Sequence, residues 1–131
     1  MAEHPDITLI KKGYEAFTNA DAAALSELIA ADAVQHMVGD NLVSGDHKGL
    51  ENILGLYGKF GELTNGTYGV EVESMFTDGN GKVVVVHRQR GERNGKQLST
   101  RQALIFTIVA GKVVDLLDTT EDIAAEDAFF A

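Results

Sequence analysis

Three polar side chains interrupt the apolar second half of the chain at positions where neighbouring strands are predicted. His87, Gln102 and Asp118 each lie beside runs of Val, Leu or Ile. A carboxyl group such as that of Asp118 can transfer protons, whereas an imidazole and an amide can hydrogen-bond an oxygen on which charge develops. Together they would support acid–base chemistry on a small molecule, provided that they share one face of a sheet.

The first hairpin that must position them is defined by Asn94-Gly95, which separates KVVVVHRQR from KQLSTRQALIFTIV. This dipeptide favours a two-residue turn in which both residues have positive φ. A turn there pairs Arg93 with Lys96 and therefore His87 with Gln102. Since side chains alternate along a strand, the two faces can be listed. The face of His87 also carries Val83, Val85, Gln89, Thr100, Leu104 and Phe106, and the other carries Val84, Val86, Arg88, Arg101, Ala103 and Ile105.

The facing of Asp118 depends on the second hairpin, which turns at Ala110-Gly111. A two-residue loop would send Asp118 to the face opposite His87. A three-residue loop over residues 109–111, with Gly111 left-handed, shifts the register by one residue and turns Val114, Leu116 and Asp118 inward. We prefer the three-residue loop because it buries the more apolar set, although a bulge would change this register.

Length and composition predict one globular domain spanning residues 1–131, with 44% hydrophobic and 24% charged residues. The net charge of −9 argues against nucleic acid and anionic membrane surfaces as partners. Because the chain has no cysteine, disulfides, thiolate catalysis and zinc–thiolate sites are excluded. The chain has neither a long apolar run nor a signal-like start, so we expect a cytoplasmic protein.

Apolar periodicity predicts the remaining elements. Helices are expected over residues 5–19, 21–31 and 46–63, short strands or loops between them, and a closing helix over residues 119–131. The early strand, residues 33–38, carries His36. The resulting fold class is α+β: a cone-shaped, curved antiparallel sheet of one short and four long strands, with three helices packed on its concave face.

The sequence resembles the nuclear-transport-factor-like superfamily of cone-shaped α+β barrels, which includes ketosteroid isomerases and SnoaL-like polyketide cyclases. The resemblance covers nearly the whole chain and rests on GYEAFTNADAAALSELIAADAVQHMV, VSGDHKGLENI and AGKVVDLLDTTED. The superfamily contains many chemistries and many non-enzymes. The resemblance therefore implies the fold more specifically than it implies a function.

The resemblance also implies roles for single residues. Tyr14 in KKGYEAF matches the tyrosine with which ketosteroid isomerases hold a developing oxyanion. Their general-base aspartate falls at His36, which could still act as a base. Their second oxyanion donor falls at about Leu104 and is absent, which argues against steroid isomerisation. Asp118 is similar to the acid near the end of the last strand that serves acid–base chemistry in SnoaL-like cyclases.

Each candidate also has an ordinary structural interpretation. Asp118 could be a strand-end residue at the solvent rim that caps the next helix. His36 could be a core histidine bonded to the backbone, and His87 with Gln102 an ordinary cross-strand polar pair. Tyr14 lies on an apolar helix stripe, where aromatic residues usually belong to the core.

Our best hypothesis is a mostly apolar cavity in which a small hydrophobic, carbonyl-bearing molecule undergoes acid–base catalysis of the isomerase, cyclase or lyase type. Asp118 and His36 would transfer protons, while Tyr14, His87 and Gln102 would hold developing charge on oxygen. Further ligand contacts are expected from Tyr57, Phe60, Leu104 and Met37. No cofactor and no metal site are implied. The alternative is a non-catalytic ligand-binding or protein-interaction module of the same fold.

The outer face of the sheet predicts a homodimer. Val84, Val86, Ala103 and Ile105 make it apolar, and no predicted helix remains to cover it. Monomers rarely leave so large an apolar face in water. A second copy would bury it around a two-fold axis, with Arg88 and Arg101 pairing with Glu71 or Glu73 at the rim.

Overall fold

The computed structural model describes residues 2–131, which form four helices and one curved, open sheet of six strands. The helices are α1 (Pro5–Thr18), α2 (Ala22–Leu28), α3 (Leu50–Leu63) and α4 (Ile123–Phe129). The strands are β1 (Ile29–Met37), β2 (Gly45–Lys48), β3 (Gly69–Thr77), β4 (Lys82–Arg93), β5 (Lys96–Val109) and β6 (Lys112–Leu117). The predicted α+β fold class is confirmed. Within residues 2–131, none of the helices is long and apolar enough to cross a membrane.

The sheet has the strand order β2-β1-β6-β5-β4-β3 and is antiparallel except where β1 lies parallel to β6. Apolar side chains of α1, α2 and α3, among them Ile10, Leu25 and Ile53, pack on the inner face formed by Val83, Val85 and their neighbours. A second apolar cluster joins α3 to α4 through Phe60, Phe129 and Phe130. Helices α1, α2 and α3 thus cover one face of the sheet, and α4 covers one end of it.

The helix predicted over residues 46–63 is wrong at its start, because residues 45–48 form β2. Gly45 and Gly49 have φ of 102° and 87°, so the chain turns sharply on both sides of this segment. The segment pairs with β1, with His36 opposite Asp46. The helix begins only at Leu50, and the sheet has six strands instead of the expected five.

The first hairpin is confirmed residue for residue. Asn94 and Gly95 have φ of 50° and 79°, as a type I′ turn requires. Arg93 pairs with Lys96, and His87 pairs with Gln102. The inner and outer faces of β4 and β5 are therefore those expected from the turn chemistry.

The second hairpin has a different turn from the one predicted, yet Asp118 faces inward. Val109 pairs with Lys112 across a two-residue turn, so the three-residue loop is wrong. The register then shifts, because Val114 is an extra residue between two paired positions of β6. This bulge restores the inward facing that the longer loop would have given, and Asp118 is only 2% exposed. Val113, and not Val114, is the buried valine of this strand.

Candidate functional site

An internal cavity of about 720 Å³, measured with its opening, lies between the inner face of the sheet and the helices α1 to α3. Its wall is mostly apolar, with contributions from Leu9, Leu28, Ile29, Leu104, Phe106 and Leu116. All three tyrosines of the chain line it, together with four further polar side chains. These are Tyr14, Tyr57, Tyr68, Gln35, His87, Gln102 and Asp118. Such a lining suits a small hydrophobic ligand with a few oriented polar groups.

A row of hydrogen bonds crosses the cavity wall from α1 to β5. The Tyr14 hydroxyl oxygen lies 2.7 Å from His87 Nδ1, and His87 Nε2 lies 2.8 Å from Gln102 Oε1. Burial lowers the pKa of His87, although its bond to Gln102 opposes this, so the imidazole is held neutral. Both imidazole nitrogens are therefore engaged within the wall.

Asp118 ends this row beyond β6. Its Oδ1 accepts a hydrogen bond of 3.0 Å from Gln102 Nε2, and its Oδ2 accepts one of 3.3 Å from the backbone N–H of Val38. Burial and then the nearby charge of Glu126 raise the pKa of Asp118 to about 7, against the lowering effect of the Val38 bond. A carboxyl group that gains or loses a proton near neutral pH can serve as a general acid or base.

Glu126, on α4, lies behind the same wall and is 5% exposed. Its Oε1 accepts hydrogen bonds from four side chains: Gln89 Nε2 at 2.6 Å, Thr120 Oγ1 at 2.7 Å, Gln102 Nε2 at 3.2 Å and Thr100 Oγ1 at 3.2 Å. Burial raises its pKa, and these hydrogen bonds oppose the rise. Glu126 accepts four hydrogen bonds and Asp118 accepts two, so the ionised form has more donors at Glu126 than at Asp118.

Two further tyrosine hydroxyls are bonded to amides. Tyr68 donates to Gln89 Oε1 over 2.8 Å, and Tyr57 donates to Gln35 Oε1 over 2.7 Å. Burial raises the pKa of both tyrosines, so both remain protonated. Sequence reasoning missed Gln35 and Tyr68 as wall residues. Inward alternation with Val70 on β3 could have indicated Tyr68.

His36 does not reach the cavity. Its neighbours Gln35 and Met37 line the wall, so by strand alternation His36 points to the outer face. There its Nδ1 lies 2.7 Å from Asp46 Oδ1 and its Nε2 2.8 Å from Asp115 Oδ1, and these hydrogen bonds raise its pKa. The expectation that His36 shares a site with Asp118 is therefore wrong.

The other predicted site residues all lie on the cavity wall: Tyr14, Met37, Tyr57, Phe60, His87, Gln102, Leu104 and Asp118. Their proposed roles stay predictions. Sequence reasoning also missed Glu126, because an acid in a short helix usually faces solvent. The buried Phe129 and Phe130 that follow it were the available signal that α4 packs inward.

Comparison with known proteins places this geometry in context. Residues 10–116 match the model of the SnoaL-like domain. An uncharacterized protein of Mycobacterium tuberculosis is 30% identical over 131 residues, which is all of both chains. The structure of Bal32a, from a soil-derived mobile gene cassette, is 31% identical, with a TM-score of 0.95 over 97% of each chain. A nuclear-transport-factor-2-like protein from Burkholderia xenovorans is 19% identical, with a TM-score of 0.84 over 100% of this chain and 99% of its own, and supports the fold alone.

Proposed function

The chain belongs to the SnoaL-like domain family, and we propose that it catalyses proton transfer on a hydrophobic, carbonyl-bearing small molecule held in the cavity. The observation that carries this proposal is Asp118. Its carboxyl group is buried at an apolar cavity, and its pKa of about 7 lets it hold or release a proton near neutrality. The membership itself supports only a ligand-binding fold, because the fold serves many functions.

In this proposal the Asp118 carboxylate removes a proton from the carbon next to the carbonyl group. The C–H electron pair moves into the carbon skeleton to give the enolate, and the carboxyl group then returns the proton at carbon or oxygen. The apolar wall supports this step because low polarity strengthens the few electrostatic contacts that remain. His87 and Gln102 are fully engaged with Tyr14, Asp118 and each other, so we assign them to orienting the acid instead of binding the substrate oxygen.

Exchange of carbon-bound hydrogen for deuterium tests the proposal without knowledge of the natural substrate. 2-Tetralone is a bicyclic, hydrophobic and enolisable ketone, and NMR in deuterated water follows the loss of its α-proton signals. We expect the protein to accelerate exchange, and Asp118→Asn to lose about 100-fold of that acceleration. Asp115→Asn, on the same strand segment but facing outward, is the matched control and should keep it. If 2-tetralone binds but exchanges equally fast with Asp118→Asn, the chain is a binding module and the catalytic proposal fails.

We further propose that two copies pair through the outer face of the sheet. A row of outward side chains crosses four neighbouring strands: Phe76, Val84, Ile105 and Leu117. Phe76 is 61% exposed and Leu117 is 40% exposed. Charges of both signs border the row, including the ion pair of Arg101 with Glu73 and the His36 cluster. An apolar centre with a rim of mixed charge suits a two-fold interface of the chain with itself.

A further inference from the structure

One buried oxygen fixes the orientation of two amide groups behind the cavity wall. Glu126 Oε1 has no proton to give in its ionised form, so Gln89 and Gln102 must both turn their NH₂ groups toward it. Rotating either amide by half a turn would set two acceptor oxygens against each other. The NH₂ group of Gln102 also donates to Asp118 Oδ1, which favours the same orientation. The NH₂ group of Gln89 donates only to Glu126 and to the hydroxyl of Thr100.

The orientation of Gln102 determines the direction of the whole row to Tyr14. Its Oε1 faces His87 and can only accept, so the single proton of the neutral imidazole lies on Nε2. Nδ1 is then an acceptor, and the hydroxyl of Tyr14 must donate to it. The hydroxyl proton of Tyr14 is therefore already donated within the wall, and the Tyr14 oxygen can only accept a hydrogen bond from a ligand.

The orientation of Gln89 has the same consequence for Tyr68. Because the NH₂ group of Gln89 is directed to Glu126, its Oε1 faces Tyr68 and receives the hydroxyl proton. Two tyrosines on the cavity wall thus present acceptors for a ligand. Tyr68 owes this to Glu126, which does not line the cavity, and Tyr14 owes it to Glu126 together with Asp118.

We propose that Glu126 is a positioning residue that makes this part of the cavity a hydrogen-bond acceptor. Among hydrophobic, carbonyl-bearing ligands, the cavity then selects those that also carry a phenolic or enolic hydroxyl over ligands of similar shape that can only accept. The inference rests on the proposed function in one respect, that the ligand occupies this cavity. Asp118 differs from these tyrosines, because its carboxyl group can donate a hydrogen bond when protonated and only accepts when ionised.

Binding of three bicyclic probes at pH 8 tests the selection, since Asp118 is then mostly ionised and 2-naphthol is still mostly neutral. Calorimetry would compare 2-naphthol, 2-methylnaphthalene and 2-naphthaldehyde. We expect 2-naphthol to bind about five-fold more tightly than the methyl compound, as one net hydrogen bond allows, and the aldehyde to gain nothing. Equal binding of 2-naphthaldehyde and 2-naphthol overturns this inference and leaves the proposed function standing. If none of the three binds, the cavity is not a site for hydrophobic ligands, and the proposed function fails with it.

Two substitutions and one spectrum separate positioning from simple support. Glu126→Gln can keep its oxygen in place and should retain the preference for 2-naphthol. Glu126→Met removes the acceptor, frees Gln89 to rotate, and should reduce the preference at least two-fold. Nitrogen-15 NMR should find His87 protonated on Nε2 in the wild-type protein and in Glu126→Gln. If Glu126→Met does not fold, that spectrum still decides, because a wild-type His87 protonated on Nδ1 overturns the inference.

Discussion

Replacing Glu126 by Gln should lower the pKa of Asp118, because Glu126 contributes charge as well as a hydrogen-bond acceptor. Gln102 Nε2 lies 3.0 Å from Asp118 Oδ1 and 3.2 Å from Glu126 Oε1. The two carboxylate oxygens are therefore no more than about 6 Å apart. With an effective dielectric constant of about 20, two unit charges at that distance repel by about 3 kcal/mol, or about 2 pKa units. Because Asp118 stays buried in the variant, its pKa should fall only to about 5 from about 7.

Carbon-13 NMR of the side-chain carboxyl groups would follow this titration, with Asp118→Asn identifying the resonance. Glu62→Gln is the matched control, because it removes the same charge from an exposed helix position and should leave Asp118 unchanged. The rate of 2-tetralone exchange should shift its pH dependence by the same amount in Glu126→Gln. An Asp118 pKa that stays near 7 in Glu126→Gln would refute the charge coupling and leave burial as the whole cause.

Three other perturbations have expected outcomes. Because the pKa of Asp118 is raised in the folded protein, this residue favours folding most below about pH 4, and the contribution is lost as the pH rises to about 7. Between pH 4 and pH 8, the free energy of unfolding of Asp118→Asn in urea should therefore rise relative to that of the wild type by up to about 4 kcal/mol. In light scattering, the wild-type protein should have the 28 kDa mass of two 14.1 kDa chains, and Ile105→Glu should reduce this mass to that of one chain. Val109→Glu, at an exposed position, should leave the mass unchanged. A 14.1 kDa wild-type species at micromolar concentration would contradict the dimer. Binding of 2-naphthaldehyde should weaken as pH rises through about 7, because protonated Asp118 can donate to its carbonyl oxygen and ionised Asp118 cannot. Binding that does not change with pH would contradict that contact.

Turn chemistry made the central hairpin predictable, whereas features without a local signal were not. Asn94-Gly95 imposes one turn and therefore one register on β4 and β5. Nothing in VVDLL indicates that Val114 forms a bulge, and the inward facing of Asp118 was inferred through a turn that does not exist. The four residues of β2 are too short and polar to show a strand pattern, and they form a strand only because β1 offers a free edge.

The site itself was predictable only where a residue pattern settles which way a side chain faces. His87 and Gln102 follow from alternation on a fixed hairpin. His36 was placed inward by resemblance, although Gln35 beside it is equally polar, and only the parity of β1 decides between them. Phe129 and Phe130 indicate that α4 packs inward, but the role of Glu126 could not be predicted from its own helix, because it depends on donors from β4, β5 and the segment after β6.

The two buried acids therefore lie in different environments and have different roles. Asp118 faces an apolar cavity with two hydrogen-bond donors, one of them long, so burial favours its protonated form. Glu126 faces four donors and accepts all of their hydrogen bonds on one oxygen, and these bonds oppose the rise in pKa that burial causes. Burial raises the pKa of Asp118 and the nearby charge of Glu126 adds to that rise, while the acceptor oxygen of Glu126 keeps Gln102 turned toward the Asp118 carboxyl group. Helix α4 thus does more than close the end of the sheet: it supplies Glu126, whose charge adds to the effect of burial on the pKa of Asp118 and whose oxygen orients Gln102.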